Sequence, residues 1–314
     1  MLYFIVNLTS RTGKSVMVWE SVQRYLRDEH ITYEAYITEY EGHATELAAM
    51  ICNKNCEDIC LIVVGGDGTM NEVINGMTNF EKVRFGIIPV GSGNDFGNGL
   101  GLSSNVSESI KNVLECVKQG PFCYKAIDLG MVSWNQGRNK RLFGISSGLG
   151  MDAIVCKKAL HSKLKTFLNK IHLGKLTYIL LTIQTLFSMR TSDFSVCYDN
   201  IGENKREFKK VIFMAAMNLS AEGGGVPMAP KASAYDGNLS VTCASQIPKW
   251  LTFFYLPFLV VAKHENIKGF DITETAAISV HVSKPVVLHA DGEYCGDVTD
   301  VTYTCLAGKL HILI

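Results

Sequence analysis

The chain has 314 residues, 47% of them hydrophobic and 19% charged, with 30 basic and 30 acidic side chains and a formal net charge of zero. That length predicts two domains rather than one, and the apolar content excludes a disordered polymer. Balanced charge gives no general attraction to nucleic acid, so no nucleic-acid partner is expected.

The first third alternates strand and helix patterns. Leu2–Asn7 is strand-like, Val16–Leu26 has helical spacing, Ile31–Thr38 is strand-like and Ala44–Cys52 helical. Leu61–Val64 reads as a strand that runs into Gly65-Gly66-Asp67-Gly68-Thr69, followed by a helix with Val73, Ile74 and Met77 on one face. Phe85–Val90 repeats the pattern and enters Gly91-Ser92-Gly93-Asn94-Asp95; a helix then follows to Lys118, with Ser107 as its expected N-cap. Such alternation predicts a doubly wound, mostly parallel sheet, which binds ligands at the carboxyl ends of its strands. The loops at Asn7, Thr38, Gly65 and Gly91 all follow strands.

The boundary falls near 124–128, giving an α/β domain over 1–126 and a β-rich, antiparallel, sandwich-like domain over 127–314. Strand-like runs in the second part are 123–132, 140–146, 194–198, 208–216, 239–244, 277–282, 286–290, 298–305 and 309–314, interrupted by a helical block over about 152–189. Trp250–Ala262, an apolar stretch containing Pro257, reads as a buried or interfacial helix, since it is too short to span a bilayer. The chain start lacks the basic leader and long apolar run of a secretory signal, and the ten cysteines read as buried thiols of a cytoplasmic protein. Cys52, Cys56 and Cys60 are spaced unlike any zinc or iron–sulfur ligand set.

A strand that ends in glycines and opens a helix builds a phosphate cradle: glycines admit an anion close to backbone amides, and the helix start presents free N–H groups. Asp67 sets a carboxylate beside the first cradle, where a phosphate-bound Mg²⁺ takes oxygen ligands, and Thr69 is an N-cap or a phosphate donor. Gly91, Ser92, Asn94 and Asp95 offer a second set of the same kind. Gly13-Lys14-Ser15 has Leu8 where a P-loop needs glycine. Arg11 and Lys14 are left as phosphate contacts or as a solvated loop. Asp291-Gly292-Glu293 is either a hairpin turn or a carboxylate pair able to take an alcohol proton or hold a metal. Ser233–Asn238, with Asp236-Gly237, is a hairpin turn or a site for a hard cation. His43 reads as a capping or packing residue.

In this order and approximate spacing, the Asn7–Thr9 loop, Thr38, Gly65–Glu72, Gly91–Asp95, Asp128, Asp236-Gly237 and Asp291-Gly292-Glu293 resemble the diacylglycerol kinase catalytic family, in the bacterial lipid kinase branch similar to sphingosine and ceramide kinases. The resemblance spans nearly the whole chain. It implies an ATP-dependent lipid kinase acting on diacylglycerol or a related lipid alcohol and giving phosphatidic acid. ATP would be contacted by Asn7, Thr9, Thr38, Gly66–Glu72 (Asn71 among them) and Ser92. Asp67 and Asp95 would organise Mg²⁺ and the triphosphate. Glu293 would take the hydroxyl proton, with Asp291 beside it, and Asp128 would join a charged network. A structural Mg²⁺ would be held by Asp236 and the carbonyls of Ser233 and Asn238. Leu8 stands where the family usually has Pro, Arg11 where Gly is common, and Ser92 where Thr is usual. NAD kinases and phosphofructokinases share the Gly65–Thr69 motif alone; an NAD kinase and a non-catalytic nucleotide-binding regulator are the alternative readings. A lipid substrate implies peripheral contact with an anionic membrane. The lysines from Lys157 to Lys175, interleaved with Leu160, Leu164, Phe167, Leu168 and Ile171, and the aromatic stretch Trp250–Phe258 are the candidate surfaces. Edge strands in the second domain leave room for a homodimer.

Overall fold

The structure, a computed structural model, describes residues 2–9, 14–54, 58–91, 93–103, 105–120, 123–160, 174–199 and 205–314. The chain divides into two compact units: Met1–Leu129 together with Ala307–Ile314, and Gly130–Leu306.

The first unit holds β1 (Leu2–Val6), α1 (Lys14–Asp28), β2 (Tyr33–Ile37), α2 (His43–Cys52), β3 (Ile59–Gly65), α3 (Asp67–Gly76), a 3-10 turn, β4 (Val83–Pro89), α4 (Asp95–Gly99) and α5 (Val106–Gln119). The strands pair in the order β2-β1-β3-β4, all parallel. Ile312 pairs parallel with Phe85, so the last residues of the chain extend this sheet. β1, β3 and β4 are apolar on both faces, as a covered parallel sheet requires. Trp19, Val22 and Leu26 of α1 and Ile110, Val113 and Leu114 of α5 pack with Phe4, Val6, Ile62 and Val64.

Two helix starts differ from expectation. α5 is capped by Asn105, whose side chain accepts the amides of Ser107 and Glu108, so Ser107 lies inside the helix. α3 begins at Asp67, which places Thr69 in its first turn rather than at the cap. Cys116 and Cys123 form a disulfide, unlike the expected free thiols.

The chain enters the second unit within β5 (Lys125–Trp134) and continues through β6 (Asn139–Phe143), β7 (Ser146–Gly150), α6 (Met151–Leu160), α7 (Gly174–Ser188), β8 (Ser192–Tyr198), β9 (Lys205–Met217), β10 (Leu239–Ser245), α8 (Lys249–Val260), β11 (Phe270–Thr275), β12 (Ala277–Ala290) and β13 (Glu293–Ile312). Strands run in the order β11-β10-β9-β7-β12-β13, with antiparallel pairing, and β8 pairs with both β9 and β12. β9 divides two cores, its alternation interrupted at Ile212–Phe213, where the register with β10 shifts. Val211, Met214 and Ala216 join Phe143, Phe194, Val280 and Tyr303. Ile212, Phe213 and Ala215 face Met151, Val155, Leu181 and Leu186 of the helices. The β-rich antiparallel second unit is the architecture expected from sequence. Its strands are longer: 277–282 and 286–290 are one strand with a register shift between His281 and Val286, where Pro285 cannot donate to the ladder. β11 escaped notice because Asp271, Thr273, Glu274 and Thr275 make it polar, as suits a strand at the end of the sheet order.

α2 and α3 approach so closely at Gly76 that a Cβ there would lie 2.1 Å from the carbonyl oxygen of Thr45. Alanine usually favours helices, yet Gly76→Ala is expected to lower stability by about 1–3 kcal/mol through overpacking, read as a fall in the urea midpoint.

Candidate active site

Two glycine turns meet in the first unit. Val90 N–H donates to the Gly65 carbonyl at 2.8 Å. A Cβ on Gly66 would lie 3.1 Å from Gly91 Cα, and one on Gly91 would lie 2.8 Å from Gly66 Cα. The backbones therefore touch where side chains would hold them apart. Asp67 ties the turns together: its carboxylate oxygens accept the amides of Asp95 at 3.1 Å and Phe96 at 3.2 Å. A carboxylate at a helix start also meets the positive end of the backbone dipoles. A Cβ on Gly93 would lie 3.3 Å from an oxygen of Asp67 and 3.3 Å from one of Asp95, so two carboxylates close on this side-chain-free residue. Hard oxygen donors so placed suit a hard divalent cation.

The strand ends are tied to the same turn. Asn7 donates to Thr69 Oγ1 at 2.9 Å, and its side-chain oxygen accepts from the amide and hydroxyl of Thr9. Thr38 N–H donates to Val6 O at 2.9 Å. The Glu72 carboxylate accepts the Ala44 amide in the first turn of α2. These residues border a cavity of about 390 Å³, lined by Asn7, Thr9, Thr38, Gly66, Gly68, Thr69 and Glu72. Glu39, Tyr40 and Glu41 also line it. The sequence reading missed these three: the loop after β2 holds a single glycine, Gly42, at the start of α2, rather than a glycine-rich turn. Tyr40 stacks on His43, with ring centroids 4.5 Å apart and planes 4° from parallel, and His43 Nδ1 accepts the Glu39 amide. Asn71 is buried in α3 and accepts from Asn75, and Lys14 is exposed at the start of α1. Arg11, Ser92 and Cys56 lie outside the described residues. Asp128, 3% exposed, accepts the Gly308 amide at 2.7 Å.

In the second unit, Asp291-Gly292 is the two-residue turn joining β12 to β13, with Ala290 paired to Glu293. Both turn residues have positive φ, 49° and 85°, the twist that matches paired strands. The Asp291 carboxylate accepts three amides, from Gly144 at 2.8 Å, Ile145 at 2.8 Å and Ser146 at 3.0 Å. Asp291 N–H returns a bond to Ser146 O. The acid is thus a clip that fixes the turn, and Glu293 is the half-buried first residue of β13. Two residues on, burial pushes the Cys295 thiol up to about 11. Asp236-Gly237 forms a turn in which Asp236 Oδ1 accepts the Asn238 amide and the Asn238 side chain donates to Asp236 O; Ser233 precedes it. Among the described residues, the metal-capable side chains that do converge are Asp152, Glu222 and His289, with ligand atoms within 4.8 Å of one another. None of the three was singled out from sequence.

The chain thus joins an α/β unit with paired glycine turns to an antiparallel β-rich unit. A family model described as the diacylglycerol kinase catalytic domain matches residues 1–122, and one described as the YegS C-terminal NAD kinase beta sandwich-like domain matches residues 146–314. The second model covers more than half of the chain, which therefore belongs to the family with a YegS-type C-terminal domain, its first 122 residues matching the diacylglycerol kinase catalytic domain. It is 28% identical over 316 residues to the diacylglycerol kinase of Bacillus subtilis, covering 99% of this chain and 95% of that one. YtlR of the same organism, whose name says lipid kinase without specifying the lipid, is 27% identical over 297 residues, covering 94% and 93%. A Bacillus anthracis structure titled as a diacylglycerol kinase superposes with a TM-score of 0.70 at 18% identity, covering 99% of this chain and 96% of that one. An NAD kinase from Archaeoglobus fulgidus, solved with ATP, shares the fold at a TM-score of 0.56 and 12% identity, covering 100% and 94%. No helix among the described residues is long and apolar enough to cross a membrane.

Because Asp67 receives both amides, Asp67→Ala is expected to release the start of α4. Amide exchange at Asp95 and Phe96 should accelerate, with a stability loss of about 1.5–3 kcal/mol for hydrogen bonds to a charged group.

Proposed function

We propose that this protein is an ATP-dependent lipid kinase that transfers the γ-phosphate to the hydroxyl of diacylglycerol or a related lipid alcohol, giving phosphatidic acid in the first case. The observation that carries the reading is the backbone contact of two glycine turns beside an open cavity, with the Asp67 and Asp95 carboxylates closing on Gly93. Family membership and lipid kinase relatives support the acceptor class.

Phosphoryl transfer passes through a loose transition state, so catalysis is positioning and charge neutralisation. Amides of both glycine turns, with Asn7, Thr9, Thr38 and Thr69, bind and orient the nucleotide; Arg11, Lys14, Ser92 and Asn94 are the further proposed contacts. Asp67 and Asp95 would hold Mg²⁺, which would supply neutralisation of phosphate charge. Glu293 accepts the proton of the lipid hydroxyl as the new bond forms, and Asp291 fixes the turn that carries it. Asp236, with the carbonyls of Ser233 and Asn238, is the proposed seat of a structural cation; the bend its side chain already makes leaves one carboxylate oxygen for it.

A lipid acceptor needs a way onto the bilayer. Most of the basic segment 157–175 lies outside the described residues. α8 is described, and its aromatic side chains face outward: Trp250 is 64% and Phe254 59% exposed, with Phe253 and Phe258 beside them and Lys249 and Lys263 flanking. We assign α8 as the membrane-docking helix.

Labelled phosphate from ATP is expected in phosphatidic acid when diacylglycerol is offered in mixed micelles. Transfer to NAD instead would identify an NAD kinase. Glu293→Gln should keep the fold and lose about 10²–10⁴-fold in turnover, the usual range for a general base; near-normal turnover would remove Glu293 from the mechanism. The wild type should co-sediment with anionic vesicles, and Trp250→Ser/Phe254→Ser should release it; unchanged sedimentation would exclude α8.

A further inference from the structure

His289 sits in the second unit two residues before Asp291, and its side chain is almost wholly buried. Its two ring nitrogens have different partners. Gly292 N–H lies 3.2 Å from Nδ1, and Oδ2 of Asp152 lies 3.2 Å from Nε2. An amide can donate only to a nitrogen with a free lone pair, so Nδ1 is unprotonated. In a neutral ring the proton then sits on Nε2 and is donated to Asp152, whose side chain is 8% exposed. Space for this pair is reserved by Gly148: a Cβ there would lie 1.7 Å from Asp152 Oδ2 and 2.9 Å from His289 Nε2.

From this geometry we infer that His289 is a positioning residue for Glu293: held by Asp152 as the Nε2–H tautomer, it accepts the Gly292 amide and fixes the turn from which Glu293 projects. The inference rests on the assignment of Glu293 as proton acceptor. Asp291 clips one side of the turn to residues 144–146, and His289 clips the other to α6 through Asp152. The Gly292 contact argues against a metal at Asp152, Glu222 and His289. With Nδ1 already accepting an amide, an ion on Nε2 would require the ring to lose both protons and become an imidazolate, whereas metal-bound histidines keep a proton on the other nitrogen and donate it.

Protonation also has a defined effect. The charged groups facing the ring are Asp152 from α6, Glu222 from the segment after β9, and Asp291 from the turn. Burial alone lowers the ring's pKa; the Asp152 hydrogen bond and the charges of Asp152, Glu222 and Asp291 outweigh it and raise it above the ordinary histidine value. A proton added to Nδ1 faces the Gly292 N–H and breaks the bond that holds the turn.

The test uses the full chain. At alkaline pH, above the raised pKa of the ring, long-range nitrogen–proton correlation on histidine-labelled protein should show His289 as Nε2–H, unmoved by added Zn²⁺ or Mg²⁺. An Nδ1–H ring, or a ring shift on metal addition, overturns the inference whether or not the protein is a lipid kinase. In the phosphotransfer assay, His289→Asn keeps an acceptor at the Nδ1 position and should stay within about threefold of wild-type kcat. His289→Phe fills the space without an acceptor and should lose about 10- to 100-fold in kcat at unchanged KM for ATP, the size of one positioning hydrogen bond. The part of the acid-side fall in wild-type kcat that lies above the carboxylate range should be absent from His289→Asn, leaving only the fall that belongs to Glu293. Equal losses in both variants, or a change in KM alone, would reduce His289 to a packing residue. A wild type inactive on every lipid alcohol would remove the Glu293 assignment and leave the tautomer result standing.

Discussion

Where Gly66 meets Gly91 there is no room for a methyl group, and the first unit's site follows from that contact. Two strand ends that would otherwise splay are drawn into one floor. The bond from Val90 to Gly65 fixes their height, and the Asp67 carboxylate fixes the start of α4 across the gap. Asn7 and Thr69 then join the β1 loop to the same floor. A larger side chain at either glycine would act on every one of these contacts at once.

Several carboxylates in this protein serve as anchors for backbone amides. Asp67, Glu72, Asp128 and Asp291 each accept at least one amide N–H from a segment distant in sequence. Such a bond does two things: it satisfies a buried donor, and it orients the acid so that its remaining lone pairs point in a chosen direction. In Asp67 the oxygen that holds the Asp95 amide also lies beside Gly93, 3.3 Å from where a Cβ would stand. In Asp291 three amides use most of the capacity, which separates its role from that of Glu293 two residues later.

What could be read in the sequence was local. Glycine turns after apolar strands have a short-range signature, so the 65–72 and 91–95 segments and the β2-β1-β3-β4 alternation were legible. So was the β-rich second unit, from period-two runs such as 194–198 and 239–244. Cap choice was not: Ser103, Asn105 and Ser107 are all capable, and only the helix start selects Asn105. The Asp291 turn was left open between hairpin and chemistry, since the amides that hold it lie about 145 positions earlier. His289 and Asp152 carry no motif and become a pair only when β12 is laid beside β7 and the start of α6.

The first unit contains residues from both ends of the described chain. Leu310 and Ile312 are fully buried there, and Ile312 pairs with Phe85. On the ribosome, therefore, the part made first is completed last. Residues 1–129 must wait through the synthesis of the entire second unit with one sheet position empty beside β4. During that interval the edge beside β4 is open, and the two glycine turns are made before the strand that completes their sheet.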